Sequence, residues 1–176
     1  ISLPLAIISY TAFFVYKITI NKCRKEKNLS KFELSTISVG DNILIIGRRC
    51  TGKTTLITKI LESNKSINPG IIMSPADSFE RHYEKKYIEN ENIIHHQYTS
   101  YIMNNFIQGR IKNIISDISD LTACYTVLDN CMLNTVDNDK HLSDLLINGY
   151  FYKTINILSI SNPYSNAADF RTKMDY

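Results

Sequence analysis

Lys53 and Thr54 close the stretch Gly47-Arg48-Arg49-Cys50-Thr51-Gly52-Lys53-Thr54, which fits G-x-x-x-x-G-K-[ST] at every fixed position. The two glycines let backbone wrap closely around phosphate oxygens with no Cβ in the way. Successive N–H groups and the N-terminus of a following helix then point at the anion. In that arrangement Lys53 reaches the β- and γ-phosphates of a nucleoside triphosphate, and the Thr54 hydroxyl ligates Mg²⁺. The pattern alone also describes a glycine turn with a chance Lys-Thr. Its flanks decide the matter: an apolar run, Asn42 to Ile46, precedes it, and Leu56, Ile57, Ile60 and Leu61 follow at helical spacing. The expectation is ATP with Mg²⁺, contacted by Gly47, Arg48, Arg49, Cys50, Thr51, Gly52, Lys53, Thr54 and Thr55.

A second group sits far along the chain. Tyr125-Thr126-Val127-Leu128-Asp129 is an apolar run ending in a carboxylate. After a phosphate loop, such an Asp is expected to hold Mg²⁺ through its water shell, giving Thr54 and Asp129 as the metal pair. An ordinary strand-ending Asp is the plainer alternative.

Positioning these groups requires alternating strands and helices. Strands are expected at Asn42–Ile46, Ile71–Met73 (entered through Pro69-Gly70, stopped by Ser74-Pro75), Tyr125–Leu128 and Ile155–Ile160. Helices are expected over Thr54–Ser63, Thr99–Ser119 with Ile107, Ile111, Ile114 and Ile118 on one stripe, and His141–Asn148. The last turns Leu142, Leu145 and Leu146 inward, with Gly149 as its C-terminal cap. The fold class that follows is α/β, with a mainly parallel sheet flanked by helices.

Composition agrees with a packed domain: 176 residues, 44% hydrophobic and 21% charged. A net charge of +3 permits contact with a polyanion without demanding it. Cys23, Cys50, Cys124 and Cys131 share no close pair spacing and read as reduced thiols. Adjacent His95 and His96 point to opposite faces of a strand, so they read as strand-end residues rather than a chelating pair. The tyrosines from Tyr83 to Tyr101 could stack on bases, and Arg81, Lys85 and Lys86 could touch nucleic-acid phosphate. The mixed charges around them favour a solvated surface instead.

Residues 1–27 form an apolar segment, Ile1 to Ile20, followed by the basic run Lys22 to Lys27. It reads as a membrane anchor with a positive flank, as a buried element of a preceding region, or as sequence extraneous to the domain. The first residue is Ile1 rather than Met, and the domain over 28–176 is expected to be a C-terminally truncated fragment.

Several segments together carry a family likeness: Asn28-Leu29-Ser30-Lys31-Phe32, Ile72-Met73-Ser74-Pro75, Ile94-His95-His96-Gln97-Tyr98, Leu128-Asp129-Asn130-Cys131-Met132, Ile147-Asn148-Gly149 and Phe170-Arg171-Thr172-Lys173-Met174-Asp175-Tyr176. In this order they resemble the viral DNA-packaging ATPases of poxviruses and giant viruses, within the HerA/FtsK group of P-loop motors. The resemblance implies a RecA-like P-loop NTPase of the additional-strand type, with one or more C-terminal strands missing. It further implies ATP hydrolysis coupled to movement of double-stranded DNA, a homo-oligomeric ring, and packaging or capsid proteins as partners. The setting would be the host cytoplasm, in a viral factory, or the virion.

Departures from that family bear on turnover. A second acid usually follows the metal-associated Asp, where this chain has Asn130, an amide without basicity. The family's polar Gln at the end of the next strand aligns with Ser161, and its Arg after Asn-Gly aligns with Tyr150. Arg171 is a charge-stabilising candidate, in cis or across a subunit boundary, or else a structural ion-pairing residue. The catalytic set implied is Lys53, Asp129, Asn130, Ser161 and Arg171. The alternative function is a nucleotide-binding, hydrolysis-deficient module with a regulatory or structural role.

Overall fold

Runs of aliphatic residues with little polar interruption persist as strands when both of their faces are covered. The structure, a computed structural model, describes residues 33–63, 67–87, 94–117, 121–131, 139–161 and 174–175. Its strands are Asn42–Ile46 (β1), Asn68–Met73 (β2), Ile94–His95 (β3), Cys124–Asp129 (β4) and Thr154–Ile160 (β5). Its helices are Lys53–Ser63 (α1), Asp77–Glu80 (α2), Glu84–Tyr87 (α3), Ser100–Ser116 (α4) and Lys140–Asn148 (α5). The strands form one five-stranded sheet in the order β1-β5-β4-β2-β3, and every pairing is parallel. The expected α/β architecture with a parallel, helix-covered sheet is therefore present.

Alternation along the strands feeds two cores. Ile43, Ile45, Val127, Ile155 and Ile157 meet Ile57, Ile60 and Leu61 of α1 on one face. On the other, Leu44, Met73, Leu128, Leu158 and Ile160 meet Met103 and Ile107 of α4 and Leu142, Leu145 and Leu146 of α5. The stripe expected on α4 is thus right in direction, although Met103 shares the deepest positions, and Ile118 lies outside the described residues.

Beyond single residues at element ends, three features differ from expectation. β2 begins at Asn68, so Pro69-Gly70 lies inside the strand at a register shift between Pro69 and Ile71. Among the described residues, β3 pairs only with Ile72 and Met73, so β2 is there an edge strand at Pro69, where a missing N–H is tolerated. β3 is a fifth strand that contains His95 and ends before His96. α4 stops at Ser116 because Asp117 is extended, at φ −163° and ψ 114°. Gly149 is the C-cap of α5, as expected, but with a right-handed φ of −52° rather than a left-handed one. Its lack of a side chain matters for space instead: a Cβ there would stand 2.8 Å from Asn156 Nδ2 and 3.1 Å from the Leu145 carbonyl oxygen.

At the start of β1, the Asp175 N–H donates to the Asn42 carbonyl and the Asn42 N–H returns to Asp175 Oδ2, each at 2.9 Å. Residues 1–32, Arg171 and the remainder of the Phe170–Tyr176 segment apart from Met174 and Asp175 lie outside the described residues. Among the described residues, no helix is long and apolar enough to cross a membrane.

Candidate functional site

Parallel strands end together, and the register sets which ends meet. Ile46 lies opposite Ile160, and Asp129 opposite Ser159. Gly47, Ser161 and Asn130 therefore leave the sheet side by side at its carboxyl edge, where open α/β sheets place their ligands.

The loop that leaves β1 has a backbone suited to its residue types. Gly52 has φ 81° and Cys50 φ 59°, both left-handed. A Cβ on Gly47 would fall 2.6 Å from Thr51 Oγ1, which is already engaged with the Arg48 carbonyl at 2.7 Å. The Lys53 ammonium turns back over the loop and donates to the carbonyls of Gly47 and Arg48, at 2.9 and 3.0 Å, and to Ser161 Oγ at 3.3 Å. Burial pushes its pKa below the ordinary lysine value, against the opposing pull of the Asp129 charge.

Asp129 ends a strand in which every residue is buried. Its Oδ2 accepts from Thr54 Oγ1 at 2.7 Å and from the Tyr83 hydroxyl at 2.9 Å. Its Oδ1 accepts from Ser159 Oγ at 2.5 Å. The carboxylate is thus fixed from α1, from β5 and from the turn between α2 and α3, and a buried charge is tolerable only with such donors. Among the described residues, no group of three His, Cys, Asp or Glu side chains converges as a metal cage.

Asn130 follows with a left-handed φ of 55°, a conformation that Asn and Asp adopt more readily than most residues. Its N–H donates to Ser159 Oγ at 2.9 Å, and its side-chain carbonyl accepts from Ser161 Oγ at 2.5 Å. Ser161 therefore stands between Lys53 and Asn130. Of the residues assigned a catalytic role, Lys53, Asp129, Asn130 and Ser161 come together, while Arg171 lies outside the described residues. Thr55 follows Thr54 on α1 with its side chain exposed.

Two contributors carry little or no sequence signal. Ser159 is a hydroxyl in the otherwise apolar run Ile157-Leu158-Ser159-Ile160, a visible but ambiguous mark. Tyr83 sits in a charged stretch and reads as solvated, yet it is fully buried in the α1 core. Asp77, 1% exposed, turns the chain to bring it there, accepting from the Tyr83 N–H at 2.7 Å and the Glu84 N–H at 3.2 Å. The solvated-surface expectation for this tyrosine is therefore corrected. It holds for Tyr101, whereas Tyr98 is half-buried and donates to Asp139 Oδ2 at 2.7 Å.

Other candidates fall elsewhere. Tyr150 packs against Gly40 beside the start of β1, at the opposite edge of the sheet from Lys53. Tyr150 is therefore not among the residues gathered around Lys53. Arg81 pairs with Glu84 at 3.5 Å and Lys86 with Glu62, so two of the three basic residues considered for phosphate contact have intramolecular acidic partners. His96 faces Glu84 at 3.4 Å. Burial, assisted by the Asp129 charge, pushes the Cys131 thiol up to about 12, which leaves it protonated and unreactive at neutral pH.

The chain has viral relatives. An uncharacterized protein of Acanthamoeba polyphaga mimivirus is 22% identical over 161 residues, covering 84% of this chain and 55% of that protein. One of Frog virus 3 is 25% identical over 158 residues, covering 86% and 48% respectively. One of Invertebrate iridescent virus 6 is 30% identical over 138 residues, covering 77% and 52%. The chain spans about half the length of these curated relatives. No protein-family model matches it, and no solved structure matches it.

Proposed function

We propose that this chain is the nucleotide-binding part of a P-loop ATPase, RecA-like and of the additional-strand type, that moves double-stranded DNA in viral genome packaging. The observation that carries the proposal is the hydrogen bond from Thr54 Oγ1 to Asp129 Oδ2, 2.7 Å long and spanning 75 residues of chain. It joins the two oxygens that the loop pattern and the apolar strand separately nominate for Mg²⁺. Mg²⁺ commonly takes one or two protein oxygens and completes its shell with phosphate and water, so this pair suits it without a cage of carboxylates. When bound, the ion would neutralise charge on the β- and γ-phosphates. Lys53, now held by two loop carbonyls, would exchange them for phosphate oxygens within Gly47 to Thr55. The strand order supports the additional-strand type, because β5 separates the strand that enters the loop from the strand that ends in Asp129.

Relatives encoded by viruses support a viral setting for this reading. A homo-oligomeric ring on double-stranded DNA, partners among packaging or capsid proteins, and a setting in the viral factory or virion belong to the same proposal.

Asn130 favours a second reading, a module that binds ATP without turning it over. Its side chain offers no base for the attacking water and is engaged with Ser161. ATP turnover of the native chain, Lys53→Ala and Asn130→Asp separates the readings. The motor reading predicts native turnover well above Lys53→Ala and raised further by double-stranded DNA. Native turnover equal to Lys53→Ala, with a gain of roughly 10²–10⁴ in Asn130→Asp, contradicts it and supports the second reading.

A further inference from the structure

Asp129 receives three side-chain donors, and they are not equivalent. Ser159 is a buried residue on the neighbouring strand, 1% exposed, and its hydroxyl has no freedom to leave Oδ1 without stranding a buried polar atom. Tyr83 is 0% exposed, and its backbone N–H is tied to Asp77. The turn that delivers it uses Arg81 in the left-handed conformation, φ 48° and ψ 38°, with the Arg81 N–H bonded to the Asp77 carbonyl at 2.9 Å. His82 adds a second tie, its Nε2 lying 2.9 Å from Thr58 Oγ1 on α1. Thr54, by contrast, is the half-exposed first-turn hydroxyl of α1 and can turn from the carboxylate to a cation.

We infer that Tyr83 is a positioning residue for the metal ligand: with Ser159 on one oxygen and Tyr83 on the other, the Asp129 carboxylate keeps its plane when Thr54 turns away to Mg²⁺. A carboxylate oxygen offers two lone pairs in that plane. Oδ2 accepts from both Tyr83 and Thr54, so the departure of Thr54 leaves it held by Tyr83 with capacity to accept from a metal-bound water. The turn from Asp77 to Glu84 thereby becomes part of the metal site although Tyr83 itself would not touch the ion. This inference rests on the ATP·Mg²⁺ reading.

The test is the Mg²⁺ dependence of binding of a fluorescent ATP analogue to the full chain, for native protein, Tyr83→Phe and Tyr125→Phe. Tyr125 is the control: it is buried in the same core, and its hydroxyl bonds the Ile60 carbonyl at 3.4 Å rather than Asp129. Both variants keep the ring and lose one buried hydroxyl. Removing a hydrogen-bond partner of a metal ligand commonly weakens metal affinity about 10-fold or more. Tyr83→Phe is therefore expected to raise the half-saturating Mg²⁺ concentration about 10-fold, with nucleotide affinity in EDTA unchanged and Tyr125→Phe at the native midpoint. Equal midpoints in all three proteins overturn the inference while leaving the ATP reading intact. Equal increases in both variants overturn it too, because the effect is then one of packing. If the native chain binds no nucleotide, the ATP reading fails and this inference falls with it.

Discussion

Asp129 and Asp139 are both carboxylates that survive burial by collecting donors, and they show two uses of the same chemistry. Asp129 faces Thr54, Tyr83 and Ser159 at the site. Asp139 caps α5 through the His141 N–H at 2.7 Å, and also accepts from Tyr98 and Ser100, which lie at the start of α4. Burial, the largest influence on Asp139, pushes its pKa up, but the hydrogen bonds from Ser100, Tyr98, His141 and Leu142 together hold it below the ordinary value. A folded-state pKa that is depressed stabilises the fold above the unfolded pKa of about 3.9, and that stabilisation is lost as pH falls through the folded value. Asp139→Ala is expected to cost roughly 1–3 kcal/mol at pH 7 by urea unfolding. Its difference from the native chain should shrink below pH about 4. A constant difference across that range would show that the charge contributes nothing. At this scale the sequence names Lys53, Thr54 and Asp129 because their motif spacing is itself the chemistry. Tyr83 and Ser159 escape it because their role depends on which strand and which turn lie next to Asp129.

Elements were legible where their hydrophobic period is unbroken. β1 matches its expected bounds, and α1 and α5 begin one residue earlier than expected, since their inward leucines and isoleucines leave little choice of face. β3 has two residues, too short for any period, and β2 hides its bulge behind Pro69-Gly70, which in isolation reads as a turn. Glycines show the same division between local and tertiary causes. Gly109 lies in the middle of α4 and a Cβ there meets nothing within 4 Å, whereas one on Gly149 meets Asn156, Leu145 and Thr154 at 2.8 to 3.2 Å. Gly109→Ala should therefore stabilise by about 0.5–1 kcal/mol through helix propensity alone. Gly149→Ala should destabilise by about 1–3 kcal/mol through overpacking. Thermal unfolding of the two variants checks the pair, and shifts of the same sign would contradict this division.

Across the whole molecule, the all-parallel sheet gathers β1, β5 and β4 so that one edge holds Lys53, Ser161, Asn130, Asp129 and Thr54. The opposite edge holds the Asn42–Asp175 pair and the Gly40–Tyr150 contact, which serve packing. Asn130 therefore lies within the cluster around Lys53 and Asp129, and Tyr150 lies apart from it. On the proposed reading, the loop and Asp129 together hold ATP with Mg²⁺, whatever the fate of the γ-phosphate. Calorimetric titration of Mg²⁺·ATP into the full chain and into Lys53→Ala tests it most directly. The expected result is saturable binding by the native chain, weakened roughly 10–100-fold by loss of the Lys53 charge and weakened again in EDTA. Absence of saturable binding to the native chain, or equal affinity in Lys53→Ala, would contradict it.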